Sequence, residues 1–113
     1  MPSQSRKHRG YATQRMVAEW FRGNGWPYAE STGAGRPGSD ITGMIGVDLE
    51  VKATSRFEPT AWLAQLEARG RTGNLAAGIW RPNGYGPAGI AHWPVILTLE
   101  QFTGLLKAWE VMD

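Results

Sequence analysis

The chain has 113 residues, which fits one domain with a single core and lies near the size at which oligomerisation often helps. Its 42% apolar content predicts a folded protein, and the lack of cysteine excludes disulfides and cysteine-based zinc sites. No apolar run approaches the ~20 residues of a membrane span, and the N-terminus lacks the apolar core of a signal peptide. We therefore expect a soluble, cytoplasmic protein that has no contact with a membrane.

The basic residues are concentrated at the start of the chain, although the formal net charge is only +2. Residues 1–9 are polar and basic and predict a flexible arm, followed by a folded domain at residues 10–113. The arm carries Arg6, Lys7 and Arg9. Such an arm favours a polyanionic partner, although a solvated basic tail is the commoner explanation of a charge run.

The periodicity of apolar residues predicts an α/β domain. The expected elements are helix 10–23, strand 26–28, a strand starting at residue 40, strand 47–51, helix 60–69, strand 75–80, strand 92–97 and a helix from residue 98 or 100 to residue 108. A strand meander followed by a helical crossover to further strands gives a mixed β-sheet flanked by helices in a single domain.

The strand at 47–51 carries the clearest chemical pattern. Apolar residues occupy its odd positions, while Asp48, Glu50 and Lys52 occupy the even ones, so one face should be core and the other charged. Asp40 begins the preceding apolar run, and a turn between the two runs would bring Asp40 beside Glu50. The bland alternative is a solvated strand with alternating charges that happens to follow an aspartate.

Two such carboxylates suit a hard divalent cation such as Mg²⁺ or Mn²⁺, which takes oxygen ligands. Lys52 would lie next to the metal, where it could orient or deprotonate a water or neutralise charge on a phosphorane-like transition state. The arrangement predicts metal-dependent phosphodiester hydrolysis. The loop at residues 31–39 is rich in glycine and carries Arg36, so it could contact a sugar-phosphate backbone.

Further landmarks are a basic-Gly opening of helix one, a glycine at its end, a Gly/Ser loop before the aspartate, a Glu-x-Lys strand and a glutamine on the next helix. They are Arg9-Gly10, Gly25-Trp26, Gly33 to Ser39, Asp40, Glu50-Val51-Lys52 and Gln65. From about Lys7 to Pro82 the chain resembles the PD-(D/E)XK nuclease superfamily, and within it the archaeal-type Holliday junction resolvases. The resemblance implies a restriction-endonuclease-like fold and a metal-dependent DNA endonuclease.

The resemblance also implies roles for single residues. Asp40 and Glu50 would coordinate Mg²⁺ (or Mn²⁺) with help from the Val51 carbonyl, Lys52 would be catalytic, and Gln65 would orient the lysine or the substrate.

One position departs from the family pattern. The family usually has a glutamate on helix one near the position of Gln14, and a glutamine brings no negative charge to a second metal. Asp48 could supply the missing carboxylate from the strand, or Gln14 could act as a neutral ligand.

The predicted partner is DNA, and a branched or four-way junction would be the substrate of a resolvase. Candidate DNA contacts are Arg6, Lys7, Arg9, Arg36, Ser39, Arg56, Arg69 and Arg71. Cutting two symmetry-related strands suits a homodimer, with Trp62 or Trp109 as candidate interface residues, although core burial is the default for both. By analogy, the small size suits an enzyme of a phage or mobile element, acting in a bacterial or phage-infected cell.

Two alternatives remain open. The chain could be another nuclease of the same superfamily, restriction-like or acting in repair, because the catalytic core does not encode the substrate. It could also be a non-catalytic nucleic-acid-binding module of the same fold, and Gln14 is the best support for that alternative.

Overall fold

The computed structural model describes residues 2–33, 38–69 and 74–112, and within these ranges it describes side chains from residue 8 to residue 111. The elements follow the order α1 (Pro2–Gly23), β1 (Glu30–Ser31), β2 (Ile41–Thr42), β3 (Val47–Lys52), α2 (Pro59–Ala68), β4 (Leu75–Trp80), a 3₁₀ helix (Pro87–His92), β5 (Val95–Ile96) and α3 (Leu99–Met112).

A three-stranded mixed sheet in the order β3-β4-β5 forms the centre of the molecule. β3 and β4 run parallel, with Val47 beside Leu75 and Lys52 beside Trp80, while β5 runs antiparallel to β4. Because parallel neighbours need a crossover, the connection between them is made by α2. β1 and β2 form a separate antiparallel pair. The predicted α/β class, a mixed sheet flanked by helices in one domain, is confirmed.

The main core lies between α1 and the sheet. Val17 and Ala18 of α1 pack with Leu49, Val51 and Ile79, and all five side chains are buried. Leu49 and Val51 occupy odd positions of β3, as the alternation in the sequence predicts. Burying a valine, leucine or isoleucine side chain in this way stabilises the fold by roughly 1.5–3 kcal/mol.

The charged face of β3 is covered as well, so the alternative of a solvated strand does not hold. α2 packs on β3 and β4, and the ring centroid of its buried Trp62 lies 6.3 Å from that of Trp80. Asp48, an even position of β3, is only 1% exposed. Burying a charge is costly unless it is paired. The groups that pair with Asp48, Glu50 and Lys52 therefore decide the chemistry of this face.

Two early boundaries differ from the predictions. α1 begins at Pro2 instead of residue 10, so residues 2–9 are helical where a flexible arm was expected. A proline is favoured at the first position of a helix, and none of the polar residues that follow is β-branched. The strand predicted at 26–28 is a turn, because Ala29 N–H donates to Trp26 O at 3.1 Å.

The strand predicted at 92–97 is also shorter than expected. Its first residue ends the 3₁₀ helix, and only Val95 and Ile96 pair with β4. Pro94 has no N–H and cannot donate to a sheet ladder, which favours a late start for β5.

α3 exposes most of its apolar residues. Its large apolar side chains that are at least two-fifths exposed are Leu99, Phe102, Leu105, Leu106, Trp109 and Val111. Trp109 is 67% exposed, which contradicts the default of core burial, whereas Trp62 is buried and cannot form an interface. In the described part of the chain, no helix has both the length and the apolar character needed to cross a membrane.

Candidate active site

Asp40 lies against the edge of β3 that faces away from β4. Its backbone N–H donates to Leu49 O at 2.8 Å, and its Oδ2 accepts the N–H of Val51 at 2.7 Å. The predicted return of the chain against β3 is therefore present, and it brings Asp40 onto the backbone of Val51, the residue next to Glu50. Burial raises the pKa of Asp40, while the Val51 N–H and then the charges of Arg69 and Lys52 oppose that rise.

Val51 presents its backbone to Asp40. Along a strand the N–H and C=O of one residue point to the same side, and those of the next residue to the other side. Leu49 follows this rule by bonding Ser39 and Asp40, and Lys52 O accepts the Arg81 N–H on the β4 side. The Val51 carbonyl, which the resemblance implies as a metal ligand, therefore points to the same side of β3 as Asp40.

Ser39 fixes the approach of this segment to β3. Its hydroxyl accepts the Leu49 N–H at 2.9 Å and donates to Ile41 O at 2.8 Å, and the residue is 7% exposed. This burial argues against the predicted contact between the Ser39 side chain and DNA, because its donor is already used inside the fold.

Glu50 and Lys52 lie on the same face of β3 because they are two residues apart in a strand. Lys52 Nζ is 3.0 Å from Glu50 Oε1, and the two side chains are 21% and 15% exposed. Burial lowers the pKa of Lys52, and the negative charges of Asp40 and Glu58 oppose this shift. Asp40, Glu50 and Lys52 therefore form one electrostatically coupled cluster.

Arg69 binds the same cluster from the end of α2. Its Nη1 bonds Asp48 Oδ1, and its Nη2 bonds Glu50 Oε2. The Arg69 side chain is 17% exposed and pairs with two carboxylates, which argues against the predicted contact with DNA phosphates. Asp48 Oδ2 is buried and has no hydrogen-bond partner among the described residues.

Neither Gln65, which the resemblance implies, nor Gln14, which stands where the family has a glutamate, makes a side-chain hydrogen bond to this cluster in the described part of the chain. Gln65 is exposed on α2 and makes no hydrogen bond to Lys52 there. Gln14 lies on α1 with its Oε1 buried and without a hydrogen-bond partner among the described residues. A search of those residues finds no group of three or more His, Cys, Asp or Glu side chains placed to hold a metal.

A cleft of about 690 Å³ opens beside Lys52. The residues that line it are Arg9, Gly10, Val51, Lys52, Ala53, Thr54, Ser55, Arg56, Glu58 and Asn83. Its floor is fixed by Trp80 Nε1, which donates to Thr54 O at 2.9 Å. The side chain of Arg56 is 85% exposed and has only a loose ion pair with Glu58 at 3.8 Å, so its charge is available to a polyanion in the cleft.

The other candidate DNA contacts divide into two groups. Arg9 has its guanidinium on backbone carbonyl oxygens, with Nε 2.8 Å from Ala53 O, so it braces the cleft from within. The remaining candidates cannot be placed: Arg36 and Arg71 lie outside the described residues, and the side chains of Arg6 and Lys7 also lie outside them.

The structural roles of Arg9 and Arg69 were missed at the sequence level. Both look like surface cations in the sequence, and only the crossover brings Arg69 over β3.

Comparison of the chain with protein-family models, curated proteins and solved structures found no match.

Proposed function

We propose that this protein is a metal-dependent DNA endonuclease with a restriction-endonuclease-like PD-(D/E)XK fold, and that it cuts branched DNA such as a four-way junction. The observation that carries the proposal is the bond from Val51 N–H to Asp40 Oδ2, because it holds a carboxylate beside a strand that presents Glu50 and Lys52. A surface that only binds DNA has no physical need for this arrangement of acids.

The donor set fits one hard divalent cation. Asp40 and Glu50 offer carboxylate oxygens and Val51 offers a carbonyl oxygen, which are the ligand types that Mg²⁺ and Mn²⁺ accept. When bound, the cation would supply Lewis-acid stabilisation of charge on the phosphate. Asp48 is committed to Arg69, and Gln14 is neutral, so the residues fit a single cation better than a pair.

Lys52 would act on the attacking water or on a non-bridging phosphate oxygen. Its ammonium is held by Glu50 at 3.0 Å, at the mouth of the cleft. Burial lowers its pKa, which makes it a better proton donor than an exposed lysine. Arg56 would hold the substrate backbone in the same cleft through its exposed charge.

A second copy of the chain would cover α3. Isolated helices shorter than ~12–15 residues are marginal in water, and α3 has 14 residues. Within the described residues, the side-chain hydrogen bond that ties it to the rest of the fold is Gln101 Nε2 to Asn74 O at 3.2 Å. A symmetric pairing through the exposed apolar side of α3 would bury Trp109 and place two active sites in one particle, as a junction-resolving reaction requires.

The test is cleavage of a labelled four-way junction beside linear duplex and single-stranded DNA of the same sequence in Mg²⁺. We expect junction-selective cutting by the wild type and its loss in Lys52→Ala. The matched control is Arg15→Ala, which removes an exposed cation of α1 that has no ion pair in the described part of the chain. Cutting of linear DNA alone would replace the resolvase with another nuclease of the superfamily.

A non-catalytic DNA-binding module is the second candidate, and one observation favours it. Both oxygens of Glu50 are already paired, one with Lys52 and one with Arg69. Junction binding without cutting in either Mg²⁺ or Mn²⁺ would establish this candidate instead.

A further inference from the structure

Arg69 supplies a positive charge to the same acids that would hold a metal. It bonds Asp48 and Glu50 with separate nitrogens of one planar guanidinium, and hydrogen bonds between two ionised groups are stronger than those between neutral groups. Asp48 is 1% exposed and Glu50 has a side chain that is 15% exposed, so water screens these contacts little.

Each oxygen of Glu50 consequently already faces a cationic side chain. Its Oε1 is 3.0 Å from Lys52 Nζ, and its Oε2 accepts from Arg69. A metal that takes Glu50 as a ligand is repelled by these two positive charges, so its binding favours the loss of one of the two pairs. Arg69 is the group that can give way, because its other nitrogen stays bonded to the buried Asp48.

We propose that Arg69 competes with the divalent cation for Glu50 and thereby sets the metal affinity of the site. This inference rests on the proposed metal-dependent function. Arg69 is a positioning residue and has no direct part in the chemistry: it holds Glu50 while the cation is absent. The Asp48 contact keeps the guanidinium beside Glu50 after a metal has bound, ready to reclaim the carboxylate when the metal leaves.

The test is a calorimetric titration of the full chain with MnCl₂ in the absence of DNA. We expect Arg69→Gln to bind Mn²⁺ about tenfold more tightly than the wild type, which is the effect of removing one competing charge-assisted hydrogen bond. Arg15→Gln is the matched control, because it deletes the same charge from an exposed position on α1, and it should leave Mn²⁺ affinity unchanged.

A second variant guards against unfolding, because Arg69→Gln leaves the buried Asp48 without its partner. Asp48→Asn/Arg69→Gln removes both charges together and avoids the uncompensated carboxylate. It should again bind Mn²⁺ more tightly than the wild type. Adding Asp40→Asn to either background should abolish the binding.

The outcomes separate this inference from the proposed function. Mn²⁺ binding that needs Asp40 but is no tighter in either Arg69 variant overturns the competition and leaves the metal-dependent function standing. Absence of Asp40-dependent binding in every folded variant overturns both. Tighter binding in the two Arg69 variants, with the Arg15 control unchanged, supports the competition.

Discussion

Arg9 donates its Nε hydrogen to the carbonyl oxygen of Ala53 at 2.8 Å and so ties α1 to the residue that follows Lys52. Its Nη2 lies 3.4 Å and 3.3 Å from the carbonyl oxygens of Arg81 and Pro82. We predict that Arg9→Lys lowers the free energy of unfolding by about 1–3 kcal/mol, because an ammonium cannot reproduce the fixed fork. Urea denaturation followed by tryptophan fluorescence measures the change.

The exposed Arg56 provides the comparison for Arg9. Arg56→Lys should leave the urea midpoint within the error of the wild type, since its single ion pair is long and solvated. Equal stability of Arg9→Lys and the wild type would show that the carbonyl contacts of Arg9 contribute nothing to the fold.

Asp40 should make the protein without divalent cations less stable as the pH rises. Burial raises its pKa above the ordinary value of 3.8, and the hydrogen bond from the Val51 N–H and then the charges of Arg69 and Lys52 oppose that rise. A carboxyl whose pKa is raised by folding stabilises the folded state below its unfolded pKa, and that contribution disappears as the pH rises through the folded pKa.

The measurement is the difference in melting temperature between Asp40→Asn and the wild type in EDTA. We expect the variant to melt higher at pH 7 and the difference to shrink as the pH falls through the raised pKa of the wild-type carboxyl. A constant difference across this range would mean that Asp40 does not titrate as its burial indicates. Added Mn²⁺ should raise the melting temperature of the wild type alone.

Gly43 should tolerate no side chain, because two separate constraints meet there. Its φ is +79°, and a Cβ at this position would overlap the carbonyl oxygen of Tyr28. Gly46 has a similar φ of +77°, but a Cβ added there would meet only open space. We predict that Gly46→Ala costs roughly 1–2 kcal/mol of stability from backbone strain alone.

Gly43→Ala should cost more than Gly46→Ala by at least ~1 kcal/mol, because backbone must also move away from the new methyl group. Thermal denaturation of the two variants side by side isolates the steric contribution. Equal melting temperatures would indicate that the segment around Tyr28 shifts freely.

Trp109 should be central to self-association. It is 67% exposed on α3, and replacing it with glutamate would put a charge into the proposed apolar contact. We predict that Trp109→Glu shifts the protein from dimer to monomer in sedimentation velocity, with a dissociation constant at least ~100-fold weaker. Lys107→Glu changes a neighbouring exposed charge of α3 and should leave the dimer intact. A monomeric wild type would contradict the proposed pairing through α3.

The sequence predicted β3 because a strand with one buried face depends on local alternation. Val47 to Lys52 forms a strand in the predicted phase, with Leu49 and Val51 in the core. The approach of Asp40 was also predictable, since a glycine-bounded turn leaves few other paths for the chain. Two apolar runs that are joined by a short loop usually lie next to each other in the fold.

The cover over the charged face of β3 could not be predicted in the same way. Asp48 and Arg69 are far apart in the chain and meet only because α2 crosses the sheet. The alternation of apolar and polar residues is the same whether the polar face of the strand contacts water or a cationic side chain from another element. The expected core burial of Trp109 failed for a related reason. An apolar helical face does not reveal whether the surface that covers it belongs to the same chain or to another one.

The ion pairs on the even positions of β3 also limit how this strand can align with its neighbours. A shift of one residue would turn Asp48, Glu50 and Lys52 toward the apolar side chains of α1 and leave Arg69 facing leucine and valine. Strands that are apolar on both faces lack this safeguard, because either face can occupy the interior. In this protein, the acids proposed to serve chemistry also discriminate against misaligned chains while the sheet assembles.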